Sequence, residues 1–195
     1  MRRLILVRHA PTAASRRAAF PLDEPLDAEA LAAATMLAGR LPEAESVLCS
    51  PARRARQSAI AAELEPVTEP LLAECDFGAW AGFTLAEVHA EDATAAAAWM
   101  TDPDATPHGG ETLTAFAARV AGWLAAQLET EGTTIAYTHG GVIAAAVVHA
   151  LDAPLAAVWK LRPAPLSLTE LEGEDGHWTV RRVGASDHPH DGWAA

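Results

Sequence analysis

The stretch LILVRHAPTAAS spans residues 4–15 and begins with four consecutive apolar side chains. A continuous apolar run of this length, bounded by polar residues, is typical of a strand that is buried on both faces of a sheet. The run ends at Arg8 and His9 rather than at ordinary turn residues. In open α/β sheets, ligands bind outside the carboxyl ends of the strands. The sequence therefore predicts that Arg8 and His9 lie at a ligand site.

The segments that follow alternate between the periodicities of strands and helices. Strands are predicted at residues 3–7, 46–49 and 133–137, and a terminal hairpin at 165–171 and 177–183. Apolar residues at helical spacing predict helices at 27–41, 51–64, 84–99 (one helix or two), 112–128 and 141–151. Strands that alternate with helices predict an α/β fold, here a three-layer α/β/α arrangement with a mainly parallel central sheet.

Composition and charge restrict the class of protein. The chain has 195 residues, half of them hydrophobic, which predicts a single domain over residues 1–186 and a polar tail at 187–195. A formal charge of −12 argues against nucleic acid and membranes as partners. No apolar run reaches the roughly 18 residues of a membrane span, and the first run is too short for a signal peptide, so a cytoplasmic protein is expected. The cysteines, Cys49 and Cys75, fit a reducing compartment, and the oligomeric state, a homodimer included, is left open.

Three predicted strands end in groups that can bind an anion. Besides the strand that ends at Arg8 and His9, a second ends at Cys49 before ARRARQSA, and a third ends in YTHGG, which contains His139. Guanidinium groups match phosphate oxygens bidentately, helix N-termini favour anions, and a neutral imidazole is a competent nucleophile. These groups predict a phosphoryl-transfer site in which cations take the place of a metal ion. Because no Walker loop or convincing set of metal ligands is present, no metal or other cofactor is expected.

Five motifs resemble those of the histidine phosphatase (phosphoglycerate mutase-like) superfamily and follow the order of that family. They lie between residues 4 and 143 and read LVRHAPT, CSPARRARQSA, LAECDFGAWAGFT, PHGGETL and THGGVI. The resemblance implies the phosphoglycerate mutase-like fold. It also implies a metal-independent phosphomonoester hydrolase that acts on a small phosphorylated metabolite through a covalent phosphohistidine.

The resemblance further implies a role for each matching residue. His9 is the expected nucleophile, and Arg8 and Arg54 are expected to clamp the phosphoryl oxygens. His139 is expected to bind the same group and stabilise its charge, and Glu74 to protonate the leaving alcohol and later activate water. The remaining candidates for contacts with the phosphate or the substrate are Thr12, Ser15, Gly140, His108 and Glu111.

Several residues keep more than one interpretation. Glu111 is equally well explained as a cap of the helix that begins near residue 112. Cys49 and Cys75 fit small apolar filler as well as a redox role, and the tail HPHDGW, with His188 and His190, fits a weak metal site or a plain polar tail. The signature itself departs from the family at residues 10 and 11, where alanine and proline replace a glycine and a frequent acid, so the substrate is not identified.

Two other functions compete with hydrolysis. Mutases of the glycolytic kind share these motifs but are longer, with extra segments that cover the site, and this chain offers few cations for a substrate carboxylate. A phospholigand-binding module without catalysis has no need of a proton donor, so Glu74 argues against it. Turnover of any phosphomonoester would separate an enzyme from a binding module.

Overall fold

A mixed sheet of six strands forms the centre of the computed structural model, which describes residues 1–186. The strands are β1 (Arg2–Arg8), β2 (Ser46–Cys49), β3 (Val67–Thr68), β4 (Gly132–Thr138), β5 (Leu168–Glu174) and β6 (His177–Ala185). Their order is β3-β2-β4-β1-β5-β6. The first four in this order run parallel, and the β5–β6 hairpin adds antiparallel strands beside β1. The prediction of a mainly parallel α/β sheet is confirmed, while the predicted tail at 187–195 lies outside the described residues.

Seven α-helices connect or flank these strands within residues 1–186. They are α1 (Ala13–Arg16), α2 (Ala28–Thr35), α3 (Arg53–Ala61), α4 (Leu85–Glu91), α5 (Ala93–Thr101), α6 (Leu113–Leu128) and α7 (Gly140–Ala150). Short 3₁₀ helices occur at Pro70–Leu72, Gly78–Trp80 and Leu155–Lys160. No helix in this part of the chain is both long enough and apolar enough to cross a membrane.

Some helices differ in extent from the prediction, for local reasons. The helix predicted at 27–41 ends at Thr35, because tighter turns and a left-handed Gly39 follow it. The helix predicted at 51–64 ends at Ala61, shortly before the left-handed Glu63. The region 84–99 forms two helices, since Asp92 ends α4 and its side chain caps α5.

Strand β1 is buried on both faces of the sheet, as its apolar run predicts. Leu4 and Leu6 pack with Trp123 of α6 on one face. Ile5 and Val7 pack with residues of α3 on the other face. Burial of each such side chain stabilises the fold by roughly 1.5–3 kcal/mol. This strand is therefore a rigid mount for the residues that follow it.

The register of the sheet brings the three predicted strand ends to one edge. Arg8 of β1 pairs with Thr138 of β4, and the amide of His9 donates to the carbonyl oxygen of Thr138 at 2.9 Å. The amide of Ser50, directly after β2, donates to the carbonyl oxygen of Tyr137 at 2.9 Å. Side chains more than 40 positions apart in sequence therefore meet at the carboxyl edge.

A small apolar cluster lies beside this edge. It consists of Phe20, Trp80, Val88, Ala96 and Trp99, which join the loop after β1 to helices α4 and α5. The cluster packs separately from the two cores of the sheet. It supplies one wall of the cleft described next.

Candidate active site

A cleft of about 630 Å³ opens at the carboxyl edge of the sheet. Its polar lining includes Arg8, His9, Arg54 and Glu74. Aromatic and apolar residues from the cluster beside the edge complete its walls. The structure thus brings residues from four separate motifs to one cavity.

His9 is held as a neutral imidazole whose proton lies on Nδ1. Its side chain is 5% exposed, and Nδ1 lies 2.6 Å from the carbonyl oxygen of Ala10. Because a carbonyl oxygen only accepts, Nδ1 carries the proton and Nε2 keeps its lone pair. Burial, together with the nearby Arg54 cation, lowers the pKa of His9 to about 3. The ring is therefore uncharged at neutral pH, and its unprotonated nitrogen is Nε2.

The guanidinium of Arg54 contacts both histidines. Nε donates to Nε2 of His9 at 3.2 Å, and Nη2 donates to Nδ1 of His139 at 3.2 Å. Nη1 donates to the carbonyl oxygen of Leu22 at 2.7 Å, which fixes the plane of the group. Arg54 is 3% exposed, so its charge acts in a medium with little water to screen it.

His139 lies beside His9, with 5.1 Å between the ring centroids. Since Nδ1 accepts from Arg54, Nε2 carries the proton and donates to Oγ of Ser50 at 2.7 Å. Full burial, with the positive charges nearby, holds the pKa of His139 well below its usual value. Both rings are neutral, because each is buried and each accepts a hydrogen bond from Arg54. Unlike His9, His139 is 0% exposed and does not itself line the cleft.

Arg8 faces the cleft from the end of β1. Its Nη1 donates to the carbonyl oxygen of Pro163 at 2.6 Å. Gly140 packs against this guanidinium, since a Cβ on Gly140 would lie 3.4 Å from Nε of Arg8. Burial lowers the pKa of Arg8, and the Glu74 carboxylate opposes that shift. The side chain stays cationic, as arginine does in proteins.

Glu74 is held at the N-terminus of α7. Its Oε2 accepts from the amide of Gly141 at 3.1 Å, and its Oε1 accepts from the amide of Cys75 at 3.1 Å. A Cβ on Gly141 would lie 2.2 Å from Oε1, so only glycine leaves room for the carboxyl group. Burial raises the pKa of Glu74, against the lowering effect of the two amides. A raised pKa suits a group that has to donate a proton near neutral pH.

Arg119 of α6 fixes the loop that carries Glu74. Its Nη1 donates to the carbonyl oxygens of Leu71 and Ala73, at 2.7 and 2.9 Å. Its Nη2 lies 3.4 Å from the carbonyl oxygen of Glu74. Arg119 therefore positions Glu74 through the backbone, without lining the cleft.

The structure does not bring Glu111 into the cleft. Its carboxylate forms a bidentate ion pair with Arg119, at 3.0 and 2.8 Å. The helix cap of α6 is Thr112, whose hydroxyl accepts from the amide of Ala115 at 2.9 Å. The expectation that Glu111 caps this helix is wrong, because the neighbouring hydroxyl takes that position. The substrate contact predicted for Glu111 stays a prediction, since the ion pair with Arg119 holds its carboxylate outside the lining.

His108 is likewise absent from the cleft lining and is 2% exposed. Its Nδ1 accepts from the amide of Gly110 at 3.0 Å, and its ring packs against Phe77 and Trp80. Burial lowers the pKa of His108. The substrate contact predicted for His108 stays a prediction, since the loop packs this side chain against its own aromatic rings and outside the cleft lining.

Thr12 and Ser15 line the cleft but bond mainly to each other. They form the capping box of α1, in which Oγ of Ser15 accepts from the amide of Thr12 at 2.7 Å. The hydroxyl of Thr12 also donates to Oε1 of Glu24 at 2.7 Å. Their predicted phosphate contacts thus require a rearrangement of hydroxyl hydrogens, whereas Gly140 lines the cleft from the start of α7.

Three residues that support the site were missed by sequence reasoning. Ser50 orients His139, and Ser58 accepts from the amide of Ala10 while donating to the carbonyl oxygen of Arg54. The third is Arg119. A polar residue directly after a predicted strand could have singled out Ser50. Nothing local marks Ser58 or Arg119, because Ala10 and the Glu74 loop, which they hold, are distant from them in sequence.

The two cysteines are reduced within the described chain. Cys49 is buried in the core, and Cys75 lies beside the cleft. Burial raises the pKa of both thiols, which keeps them protonated. Residues 1–186 contain no group of three or more histidine, cysteine or acidic side chains arranged for a metal ion.

The mainly parallel α/β sheet brings two neutral histidines, two arginines and a carboxyl group to one edge. This arrangement defines a class of site that is suited to binding a phosphoryl group. The model of the histidine phosphatase superfamily (branch 1) matches residues 4–186, and the chain belongs to that superfamily.

Similarities to known proteins in sequence and in structure support this membership. A bifunctional protein of Mycobacterium tuberculosis is 34% identical over 195 residues, covering 93% of this chain and 53% of the relative. The adenosylcobalamin/alpha-ribazole phosphatase of Salmonella typhimurium is 33% identical over 174 residues, covering 82% of this chain and 85% of the relative. The native structure of mycobacterial glucosyl-3-phosphoglycerate phosphatase has a TM-score of 0.82 and 27% identity, and the match covers 95% and 99% of the two chains. The chain spans about half the length of the bifunctional relative.

Proposed function

We propose that this chain is a metal-independent phosphomonoester hydrolase that acts on a small phosphorylated metabolite through a phosphohistidine at His9. The observation that carries the proposal is the state of His9. Its Nδ1 proton is held by a carbonyl oxygen, so the lone pair of Nε2 faces the arginine cation of a cleft. That arrangement fits an in-line nucleophile mounted on a rigid strand. The relatives that are named phosphatases support hydrolysis.

The first step transfers the phosphoryl group to the enzyme. Arg8 and Arg54 bind the phosphoryl oxygens, and the hydrogen bond from Arg54 to His9 is exchanged for one to the substrate. Nε2 of His9 attacks phosphorus as the bond from phosphorus to the alcohol oxygen breaks. Glu74 gives its proton to that oxygen, so the alcohol leaves neutral. When the dianion binds, Nδ1 of His139 takes up a proton from solvent and donates it to a phosphoryl oxygen, and the ring returns that proton to solvent when inorganic phosphate leaves.

The second step returns the enzyme to its starting state. Glu74, now a carboxylate, takes a proton from water as the water oxygen attacks phosphorus. The bond between phosphorus and Nε2 breaks, inorganic phosphate leaves, and Glu74 is protonated again. The raised pKa of Glu74 favours this cycle over a purely binding function, because a binding module has no use for a proton donor.

The central test replaces the nucleophile. His9→Ala is expected to fold normally by circular dichroism and to lose nearly all turnover of a panel of phosphomonoesters. His89→Ala, an exposed position on α4, is the matched control and is expected to keep the activity. A folded His9→Ala protein with substantial activity would overturn the assignment. Rapid alkaline quenching of the wild-type protein during turnover is expected to yield a phosphorylated peptide that contains His9.

Metal independence has its own test. Activity is expected to survive excess EDTA, because the arginines and the amides at the start of α7 meet the charge of the phosphoryl group. Vanadate, which mimics five-coordinate phosphorus, is expected to inhibit in the presence of EDTA. Activity that disappears with EDTA and returns with a divalent cation would contradict the proposal.

A further inference from the structure

A second cavity, of about 220 Å³, adjoins the phosphate cleft. Both cavities have Glu74, Gly140 and Gly141 in their walls. The recess therefore begins at the carboxyl group that faces the leaving oxygen in the proposed reaction. A substituent on the leaving alcohol that points away from the phosphoryl group would therefore enter this recess.

The lining of the recess is apolar and rich in aromatic rings. It includes Phe77, Trp99, Phe116, Ala144, Val158 and Trp159. Trp99 and Trp159 meet edge to face, with 4.7 Å between their ring centroids. Among the described lining residues, only Glu74 and Arg162 carry a charge, and burial keeps the thiol of Cys75 neutral by raising its pKa. A sugar with several hydroxyl groups would leave most of them without partners against these walls.

The size of the recess limits what fills it. An apolar protein cavity of about 150 Å³ is known to bind benzene. The recess, at about 220 Å³, therefore has room for one aromatic ring or a small fused pair. Aromatic walls favour a flat ring, since offset and edge-to-face contacts add to the burial of apolar area.

We propose that this recess binds the leaving group and selects phosphomonoesters whose alcohol carries a flat aromatic or similarly compact apolar group. The proposal rests on the proposed hydrolase function for the direction in which the substrate lies. The recess would discriminate between substrates by their leaving group. Arg8, His9 and Arg54 contact only the phosphoryl group, which all phosphomonoesters share. Burial of one ring is expected to strengthen binding roughly 10- to 100-fold over a short alkyl group.

The first experiment measures binding without turnover. Ethylphosphonate and 2-phenylethylphosphonate share the anionic head and differ only by the ring, and the carbon–phosphorus bond is not hydrolysed. Titration calorimetry on the whole chain is expected to give a Kd at least tenfold lower for the phenylethyl compound. Equal affinities, or no binding of either compound, would overturn the recess as a binding site.

The second experiment measures turnover of the matching esters, ethyl phosphate and 2-phenylethyl phosphate. The kcat/KM ratio is expected to favour the phenylethyl ester by a similar factor. A phenylethyl preference in binding with no hydrolysis of either ester would contradict the proposed function and leave the recess supported. Hydrolysis of both esters at the same rate would support the function and contradict the recess.

Two variants test whether the preference arises in the recess. Ala144→Leu fills it from α7, and Leu113→Gln puts a polar group at a half-buried position of its wall. Both are expected to reduce the phenylethyl-to-ethyl affinity ratio to near one. Ala150→Leu, the same substitution on the same helix but outside the lining, is the control and is expected to keep the ratio. Should Ala144→Leu fail to fold, Leu113→Gln decides, and an unchanged ratio in that variant would refute the proposal.

Discussion

At the scale of single residues, the chemistry of the site depends on which protonation state each group is forced to keep. His9 and His139 are neutral because burial and one shared cation lower the pKa of each ring. Glu74 is shifted the other way, since burial raises the pKa of its carboxyl group. The site therefore combines an uncharged imidazole at His9 with a carboxyl group at Glu74 whose pKa is raised. This pairing of opposite shifts is typical of acid–base assignments in enzymes.

The role of Glu74 predicts a dependence on the leaving group. Glu74→Gln removes the acid, and positioned acids contribute about 10²–10⁴-fold. An alkoxide needs a proton to leave, whereas nitrophenolate is stable as an anion. We expect kcat/KM to fall strongly for an alkyl phosphate and much less for nitrophenyl phosphate, in assays of phosphate release.

The comparison between substrates also serves as the control for this variant. Both oxygens of Glu74 accept from backbone amides, and glutamine keeps only one acceptor, so the side chain shifts somewhat. That displacement affects both esters equally and cancels in the ratio. The quantity to compare is kcat/KM, because it reports steps up to the first irreversible one. An equal fall for both esters would make Glu74 a structural or binding residue.

At the scale of elements, strand ends and one helix terminus hold the reacting groups. Strand β1 mounts His9, and β4 mounts His139 through the adjacent register. The first turn of α7 then approaches Glu74 so closely that a side chain at Gly141 has no room. Helix α6 fixes the other side of Glu74 through Arg119 and three backbone carbonyl groups. The carboxyl group of Glu74, the proposed proton donor, is therefore clamped between two helices.

This clamp predicts different effects of two glycine substitutions. Gly141→Ala would place a Cβ 2.2 Å from Oε1 of Glu74 and displace the carboxyl group. We expect its kcat/KM for an alkyl phosphate to fall roughly as in Glu74→Gln, by about 10²-fold or more. Gly122→Ala, inside α6, meets no atom within 4 Å. It is expected to keep full activity and to stabilise the fold by about 0.5–1 kcal/mol, by urea unfolding. Full activity in a folded Gly141→Ala protein would refute the clamp.

At the scale of the whole molecule, folding buries the titratable side chains of His9, His139 and Glu74 at the carboxyl edge of the sheet. The unfolded chain hydrates these groups and returns their pKa values to the usual range. The native state therefore binds fewer protons at its histidines than the unfolded state does below pH 6.5. Burial of His9 and His139 therefore has two effects: it keeps both rings neutral in the native state, and it makes the free energy of unfolding fall at acid pH.

Stability is thus expected to fall as the pH falls from about 6.5 towards 3, the range between the unfolded and folded pKa of His9. Each histidine that stays neutral contributes a slope of about 1.4 kcal/mol per pH unit. The raised pKa of Glu74 acts in the opposite direction, so the informative quantity is a difference between variants. Urea unfolding at pH 7, 6 and 5 is expected to show a shallower slope for His9→Asn than for wild type. The exposed His89→Asn is the control, and equal slopes for His9→Asn and wild type would show that His9 titrates normally in the native state.

Much of the fold, and the placement of Arg8, His9 and His139 at strand ends, followed from the sequence, because both are encoded by neighbouring residues. The apolar run before Arg8 and His9 is a local signal for a strand buried on two faces, and YTHGG is a local signal for a strand that leads into a helix. The helix breaks at Asp92 and Gly39 depend on caps and turns that sequence reasoning placed only roughly. Strand β3 was missed altogether, because both of its side chains are exposed and leave no hydrophobic pattern.

Only the tertiary structure decided which side chains touch. That Arg54 bonds both histidines, that Ser50 orients His139 and that Arg119 holds the Glu74 loop all depend on contacts between residues more than 40 positions apart. The same holds for His108, a sequence candidate for a substrate contact that the structure packs against Phe77 and Trp80. The apolar recess is assembled from separate helices and loops. Such features arise from packing rather than from local preference, because a contact between distant segments leaves no periodic trace in either one.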